Sequence, residues 1–359
     1  MDFALDDDQE LIVETVRKFA ERDLRPWAAE ADRSGKPPAR FEETASNLGF
    51  FLDAVPGEAG GLLEGRYSHL ARALRGYELG RGCAALAALL ECNVEPALAV
   101  STWGSASAKR ALFESLRDSK LATFVHDSRG TLEVSADGPD LRLSGRIGPA
   151  PALGDAAYVV IAAPALLALV PTDRIKCEAI TPSGWRAARW AIATLDGHRV
   201  EQDLVLARGE RATAAAGEVL AWARTSLAAR AAGVAASAME HAESYGRERI
   251  QFGQPIGRFE ALIRLRDDAS TVTAAARLMA LHAAWQIDHG IAGAADTASR
   301  ARVLAGDAVT RATIDAVQIY GGYGFVNDFP VEKLMRDARA FEALLGDERL
   351  GRVLAQKVA

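Results

Sequence analysis

Apolar residues recur at helical spacing at the start of the chain, alternate or run together in its middle, and return to helical spacing afterwards. From Asp7 to Glu30 the positions Leu11, Ile12, Val16, Phe19 and Ala20 form one stripe, predicting a helix that Pro26 ends or bends. Gly49 to Gly61 is a punctuated loop. Tyr67 to Leu90 returns to helical spacing through Leu70, Ala71, Leu74 and Leu79, and Ser105 to Leu116 gives a further amphipathic helix. Near residue 119 the period changes. Leu121–Val125 reads as a strand, and Thr131 to Leu143 alternates and breaks at Asp137-Gly138-Pro139, a hairpin signal. Tyr158–Ala163 and Leu166–Val170 are continuous apolar runs suited to buried strands, and Arg186 to Leu206 predicts two more short strands around Asp196-Gly197. From Thr213 onward the chain is Ala-rich and helical. Thr213–Arg249 would span about 50 Å if straight. Leu262–His289 stops at Gly290, Ala294–Tyr320 stops at Gly321-Gly322, and Pro330–Ala343 follows with Asp328 as its expected N-cap. The fold class that follows is mainly α with a β middle domain: an all-α domain over 1–118, a β domain over 119–212 and a four-helix bundle over 213–359.

Composition narrows the function classes. The 359 residues are 49% hydrophobic, and 42 basic against 48 acidic residues leave a net charge of −6 with no basic cluster, which argues against a nucleic-acid surface. No apolar run is read as a membrane span, and the acidic start Met1-Asp2-Phe3-Ala4-Leu5-Asp6 lacks the basic region of a signal peptide. Cys83, Cys92 and Cys177 are scattered, so neither a disulfide framework nor a zinc site is expected and a cytoplasmic location is. Apart from His282 and His289, two helical turns apart, the six histidines lack a metal-ligand spacing, so no metal is expected.

The candidate chemistry lies in three C-terminal blocks. Arg249-Ile-Gln-Phe-Gly-Gln-Pro-Ile256 ends one apolar helix, and Gln318-Ile-Tyr-Gly-Gly-Tyr-Gly324 ends another in glycines that let backbone approach a ligand. Arginine suits bidentate grip of a pyrophosphate, so the two blocks read as a dinucleotide grip made of helix ends. Phe329-Pro-Val-Glu-Lys-Leu-Met-Arg-Asp-Ala338 completes the set. In this order the blocks resemble the C-terminal domain of the acyl-CoA dehydrogenase family. Leu5-Asp-Asp-Asp-Gln9, Val55-Pro-Gly-Glu-Ala-Gly-Gly61 and Tyr77-Glu-Leu-Gly-Arg81 are similar to earlier parts of that family. The resemblance implies an N-terminal α bundle, a β-barrel-like middle domain and a C-terminal four-helix bundle. It implies FAD as cofactor, an acyl-CoA thioester as substrate and oxidation at its α,β carbons, in fatty-acid or steroid side-chain catabolism. It further implies a homo- or hetero-tetramer with a second acyl-CoA dehydrogenase subunit, and an electron-transfer flavoprotein as acceptor. Arg249, Gln251, Phe252, Gln318, Gly321 and Gly322 would then reach the FAD held mainly by a neighbouring subunit.

The departures from that pattern are concentrated at the chemistry. The family's catalytic carboxylate aligns with Leu345, and its alternative position on the long helix falls at about Ala223; neither can take a proton. Asp347 is a displaced candidate base. Glu240 and Glu243 lie on the right helix but about 25 Å too far along it. Where a flavin-binding threonine-glutamate-proline loop is expected stands His126-Asp-Ser-Arg-Gly130, and a tryptophan-isoleucine-threonine strand is replaced by Ile147-Gly-Pro-Ala-Pro151. Loss of a chain's own flavin seat with retention of the grip for a neighbour's is expected of one subunit in a heteromeric dehydrogenase. The rival readings are a homomeric dehydrogenase with a displaced base, and a flavin oxidase or monooxygenase on the same fold.

Overall fold

A computed structural model describes residues 4–344, so Leu345 and Asp347 lie outside the described residues. The first helix, α1 (Asp7–Phe19), opens on a capping box: Asp6 accepts from the Gln9 backbone N–H at 2.8 Å, and the Gln9 side chain accepts from the Asp6 backbone at 3.3 Å. A π-helical turn over Ala20–Leu24 then leads into α2 (Arg25–Ser34). Pro26 therefore does not end the helix. It sits in the first turn of α2, directly after the π-helical turn.

After α3 (Phe41–Asn47), the expected helix from Tyr67 to Leu90 proves to be two. The first, α4 (His69–Gly82), is capped by Ser68, and α5 (Ala84–Leu90) follows an extended Cys83. A turn carries the chain into α6 (Val94–Trp103) and α7 (Ala106–Arg117). By length and composition Ala84–Trp103 is apolar enough to cross a membrane, but it is divided between α5 and α6, and 89% of its most apolar window is buried inside the fold.

Eight strands follow. One sheet has the order β1 (Leu121–His126), β4 (Ala156–Ala163), β5 (Leu166–Pro171), β8 (Val205–Arg208), with β1 and β4 parallel. The other has the order β2 (Glu133–Asp137), β3 (Asp140–Ala150), β7 (Ala191–Val200), β6 (Lys176–Ala179). Asp196-Gly197 does not divide two short strands as expected: β7 runs through it, with Gly197 at φ +59° where the register with β3 slips. Likewise β3 passes through Gly148-Pro149 to Ala150. The sheets pack face to face over one core, Val159, Ile161 and Val170 from the first against Leu143, Ala193 and Leu195 from the second.

The longest element, α8 (Gly209–Glu248), has 40 residues, and a two-residue hairpin of β9 (Ile250–Gln251) and β10 (Gln254–Pro255) follows it. Then come α9 (Glu260–Asp288), α10 (Ala294–Tyr320) and α11 (Pro330–Ala343). The N-cap of α11 is Phe329, with no side-chain capping bond, so Asp328 does not take the role expected of it. Alanine lines the facing helices: Ala228, Ala235, Ala276, Ala283, Ala305 and Ala312 are all buried in one core. Small side chains let the axes approach closely, and α4 presses on α8 at glycines. A Cβ at Gly233 would lie 2.0 Å from the Tyr77 carbonyl oxygen, and one at Gly80 would lie 2.3 Å from that of Arg230. The α11 helix is tied to the β region by Asp337, whose Oδ1 accepts from the Trp185 backbone N–H at 2.8 Å, beneath a T-shaped contact of Trp185 with Phe341.

This packing sets a test. Gly233→Ala forces α4 and α8 apart and is expected to destabilise the protein by about 1–3 kcal/mol. Gly217→Ala, on the same helix but with open space around the added carbon, should be neutral or stabilising. Urea denaturation of the two variants checks this; an unchanged midpoint for Gly233→Ala would contradict the close packing.

Candidate functional site

Where the α5–α6 turn and α8 face the strands β1 and β3, a cavity of about 620 Å³ opens. On the helical side α8 contributes Ala223, Leu227 and Arg230, spaced so that they share one face. The α5–α6 segment contributes Glu91 and Glu95. On the strand side lie His126, Asp127 and the segment Ile147–Pro151.

Each of the cavity's buried carboxylates already has partners. Glu95 accepts both arms of the Arg72 guanidinium at 2.7 and 3.1 Å. Glu91 accepts from Arg75 at 3.1 Å and from the Ser226 hydroxyl at 2.8 Å, with Arg72 and Arg230 within 4 Å. Arg75 also pairs with half-buried Asp53. Asp127 accepts from the Thr131 backbone and hydroxyl, both at 3.1 Å, and from the Leu132 backbone at 2.9 Å, so it pins the loop after β1. Burial alone would raise the Glu91 pKa, but Arg72, Arg75 and Arg230 outweigh it and hold the carboxyl below its ordinary value. At Asp53 burial prevails and raises the pKa. Burial, helped by Arg224, lowers His126, which keeps that imidazole neutral near pH 7. Ala223, one of the two family base positions, faces the cavity with no acidic group, and Leu344 is the last described residue at its edge.

The residues of the expected dinucleotide grip lie elsewhere. Arg249 ends α8, and its guanidinium carbon sits 5.6 Å from the Tyr323 ring centroid, which brings the ends of α8 and α10 together. Gln251 pairs with Gln254 in the small hairpin, whose turn holds Phe252 at φ +51° with its residue 92% exposed. Gln318, Gly321 and Gly322 are exposed at the end of α10, and a Cβ at either glycine would meet nothing within 4 Å. Ile250, Tyr323 and Phe325 add exposed apolar surface beside them. From Ala223 to Arg249 the helix runs about 40 Å.

Sequence reading missed the Arg72, Arg75, Arg230, Glu91 and Glu95 cluster. Its signal was two acids inside the otherwise apolar stretch Ala84–Trp103, which no water-facing helix surface explains.

Comparison with known proteins gives the family. Residues 6–119 match the acyl-CoA dehydrogenase N-terminal domain and residues 213–358 match the acyl-CoA dehydrogenase C-terminal domain. Acryloyl-CoA reductase (NADH) of Anaerotignum propionicum is 28% identical over 99% of this chain and 95% of its own. An acyl-CoA dehydrogenase of Bacillus subtilis is 40% identical over 134 residues, 37% of this chain and 35% of that protein. The solved structure of butyryl-CoA dehydrogenase from Megasphaera elsdenii superposes with a TM-score of 0.88 at 24% identity, covering all of both chains. The fold, with its two helical parts around paired sheets, is that of the acyl-CoA dehydrogenases. This chain belongs to the acyl-CoA dehydrogenase family.

The buried charge cluster yields a prediction of its own. Glu91→Gln leaves Arg75 and Arg230 short of a counter-charge, so a loss of about 3–5 kcal/mol is expected. Because the folded pKa of Glu91 is depressed, its contribution is present above the ordinary value of 4.5 and is lost as pH falls below it. Denaturation as a function of pH should therefore show the two proteins converging in acid. Equal stability at pH 7 would contradict the role.

Proposed function

We propose that this chain is a subunit of a heteromeric, FAD-dependent acyl-CoA dehydrogenase, one that completes its partner's FAD site instead of abstracting a proton itself. One contrast supports the reading. The grip residues, exposed except for half-buried Arg249, stand at one end of α8, about 40 Å along the helix from the cavity stripe at Ala223, so they do not serve this chain's own cavity.

The exposed end fits a dinucleotide. Arg249 offers a bidentate guanidinium, held in place by Tyr323, and Gly321-Gly322 leave open backbone where side chains would block a close approach. Phe252 presents a bare ring. FAD, when bound, supplies the acceptor for the hydride leaving the β carbon of an acyl-CoA thioester. The other half of that chemistry, removal of the α proton, needs a carboxylate free to take it. Glu91, Glu95 and Asp127 are each committed to guanidinium or backbone donors, and Ala223 offers no acid. A partner subunit would supply the base.

Two outcomes test the reading. Arg249→Ala should lower the flavin content of the purified assembly several-fold, because a charged contact contributes about 1.5–3 kcal/mol; unchanged content would remove Arg249 from the site. The exposed apolar surface around Phe252 and Phe325 should be covered in a dimer of dimers. Light scattering that shows a monomer at micromolar concentration would overturn the assembly.

A further inference from the structure

Arg230 is a largely buried cavity arginine whose charge faces Glu91 at 3.7 Å but whose donors the fold leaves without a hydrogen bond. Its side chain is 11% exposed, its Nε is buried without a hydrogen-bond partner, and it makes no hydrogen bond among the described residues. Its nearest carboxylate oxygen, on Glu91, is 3.7 Å from Nε and already accepts from Ser226 at 2.8 Å, while the other Glu91 oxygen accepts from Arg75. On another side its guanidinium carbon lies 5.9 Å from the Trp185 ring centroid, a contact that fits a cation but gives no acceptor. Burial lowers its pKa, a sign that the protein environment does not repay the full cost of the charge.

A guanidinium has five donors in a fixed fork. Leaving them unmade in a buried place is costly, and the neighbouring Arg72 shows the alternative, both arms on one carboxylate. What Arg230 lacks is a planar group with two oxygens, and the cavity beside it has room for one. We infer that the cavity binds an acyl thioester whose far end carries a carboxylate, and that Arg230 recognises that carboxylate.

The inference rests on the acyl-thioester reading of the fold. It needs no turnover by this chain. Arg230 lies two helical turns, about 10 Å, beyond Ala223 on the same face of α8, so a ligand with its thioester end near Ala223 would direct its far end toward the guanidinium. Leu227 stands between them and gives the apolar wall that a methylene chain needs. Arg129 and Arg146 also border the cavity, but Arg129 is exposed and Arg146 is 62% exposed and pairs with Glu178, which leaves Arg230 as the buried recognition group.

The experiment measures binding to the assembled protein by calorimetry. The probes are the mono-CoA thioester of a five-carbon dicarboxylic acid, the five-carbon acyl-CoA ending in a methyl group, and the free dicarboxylate. The carboxylate-ended thioester is expected to bind at least about ten-fold tighter than the methyl-ended one. Arg230→Met should erase that preference, and Arg230→Lys should keep part of it. If both thioesters bind equally, or the preference survives in Arg230→Met, the carboxylate role is overturned and the acyl-thioester reading stands. If neither thioester binds, both are overturned. Free dicarboxylate binding as tightly as the thioester would overturn the assignment to an acyl chain end. Should Arg230→Met fail to fold, the comparison of thioesters on the unaltered protein decides the matter.

Discussion

A carboxylate removed from water must be paired, and in this fold that requirement governs the floor of the cavity. Glu91 sits 1% exposed where α4, the α5–α6 turn and α8 meet. Holding it there takes Arg75 from α4 and Ser226 from α8, with Arg72 and Arg230 close by. Glu95 and Asp53 are needed in turn to balance those guanidiniums. The network fixes the three helices relative to one another. It also consumes the acids that a dehydrogenation would otherwise have at hand. Structural and chemical consequences therefore have the same cause: a paired carboxylate is a stable element of the fold and a poor base.

The second consequence concerns α8. One helix carries the cavity stripe of Ala223, Leu227 and Arg230, the glycine contact with α4, and the terminal Arg249. Its alanines allow close packing along its length, so the two ends are held at a fixed separation by a rigid rod. A site at the Arg249 end and a site at the Ala223 end cannot be the same site within one chain. On the proposed reading, the grip at the Arg249 end therefore serves a neighbouring subunit and not this chain's own cavity.

Much of the fold was legible because its signals are local. The apolar period and the glycine stops put a helix over Ala294–Tyr320 and another over Pro330–Ala343, where α10 and α11 stand. The strands β4 and β5 were legible as continuous apolar runs, since the sheet that holds them is covered on both faces, whereas the other sheet alternates buried and exposed positions. The errors arose where a local signal met tertiary context. Pro26 is absorbed by a π-helical turn, and Gly197 bends a strand without ending it. The cavity's charge network could not be read, because Arg72, Glu91 and Arg230 are far apart in sequence and meet only in the folded chain. A buried acid and a surface acid look alike until something packs over them. Leu345 and Asp347 lie outside the described residues; among those described, Ala223 holds the other base position and the cavity's buried carboxylates are paired.

The most direct measurement is anaerobic flavin reduction by the chain purified alone, loaded with FAD, and then by the same chain joined to a partner subunit. A panel of acyl-CoAs is added and the flavin absorbance followed. With the partner present the absorbance should bleach on the timescale of turnover, and for the chain alone it should remain unbleached. Rapid bleaching by the chain alone would show that it holds a working base of its own, and would contradict the central claim.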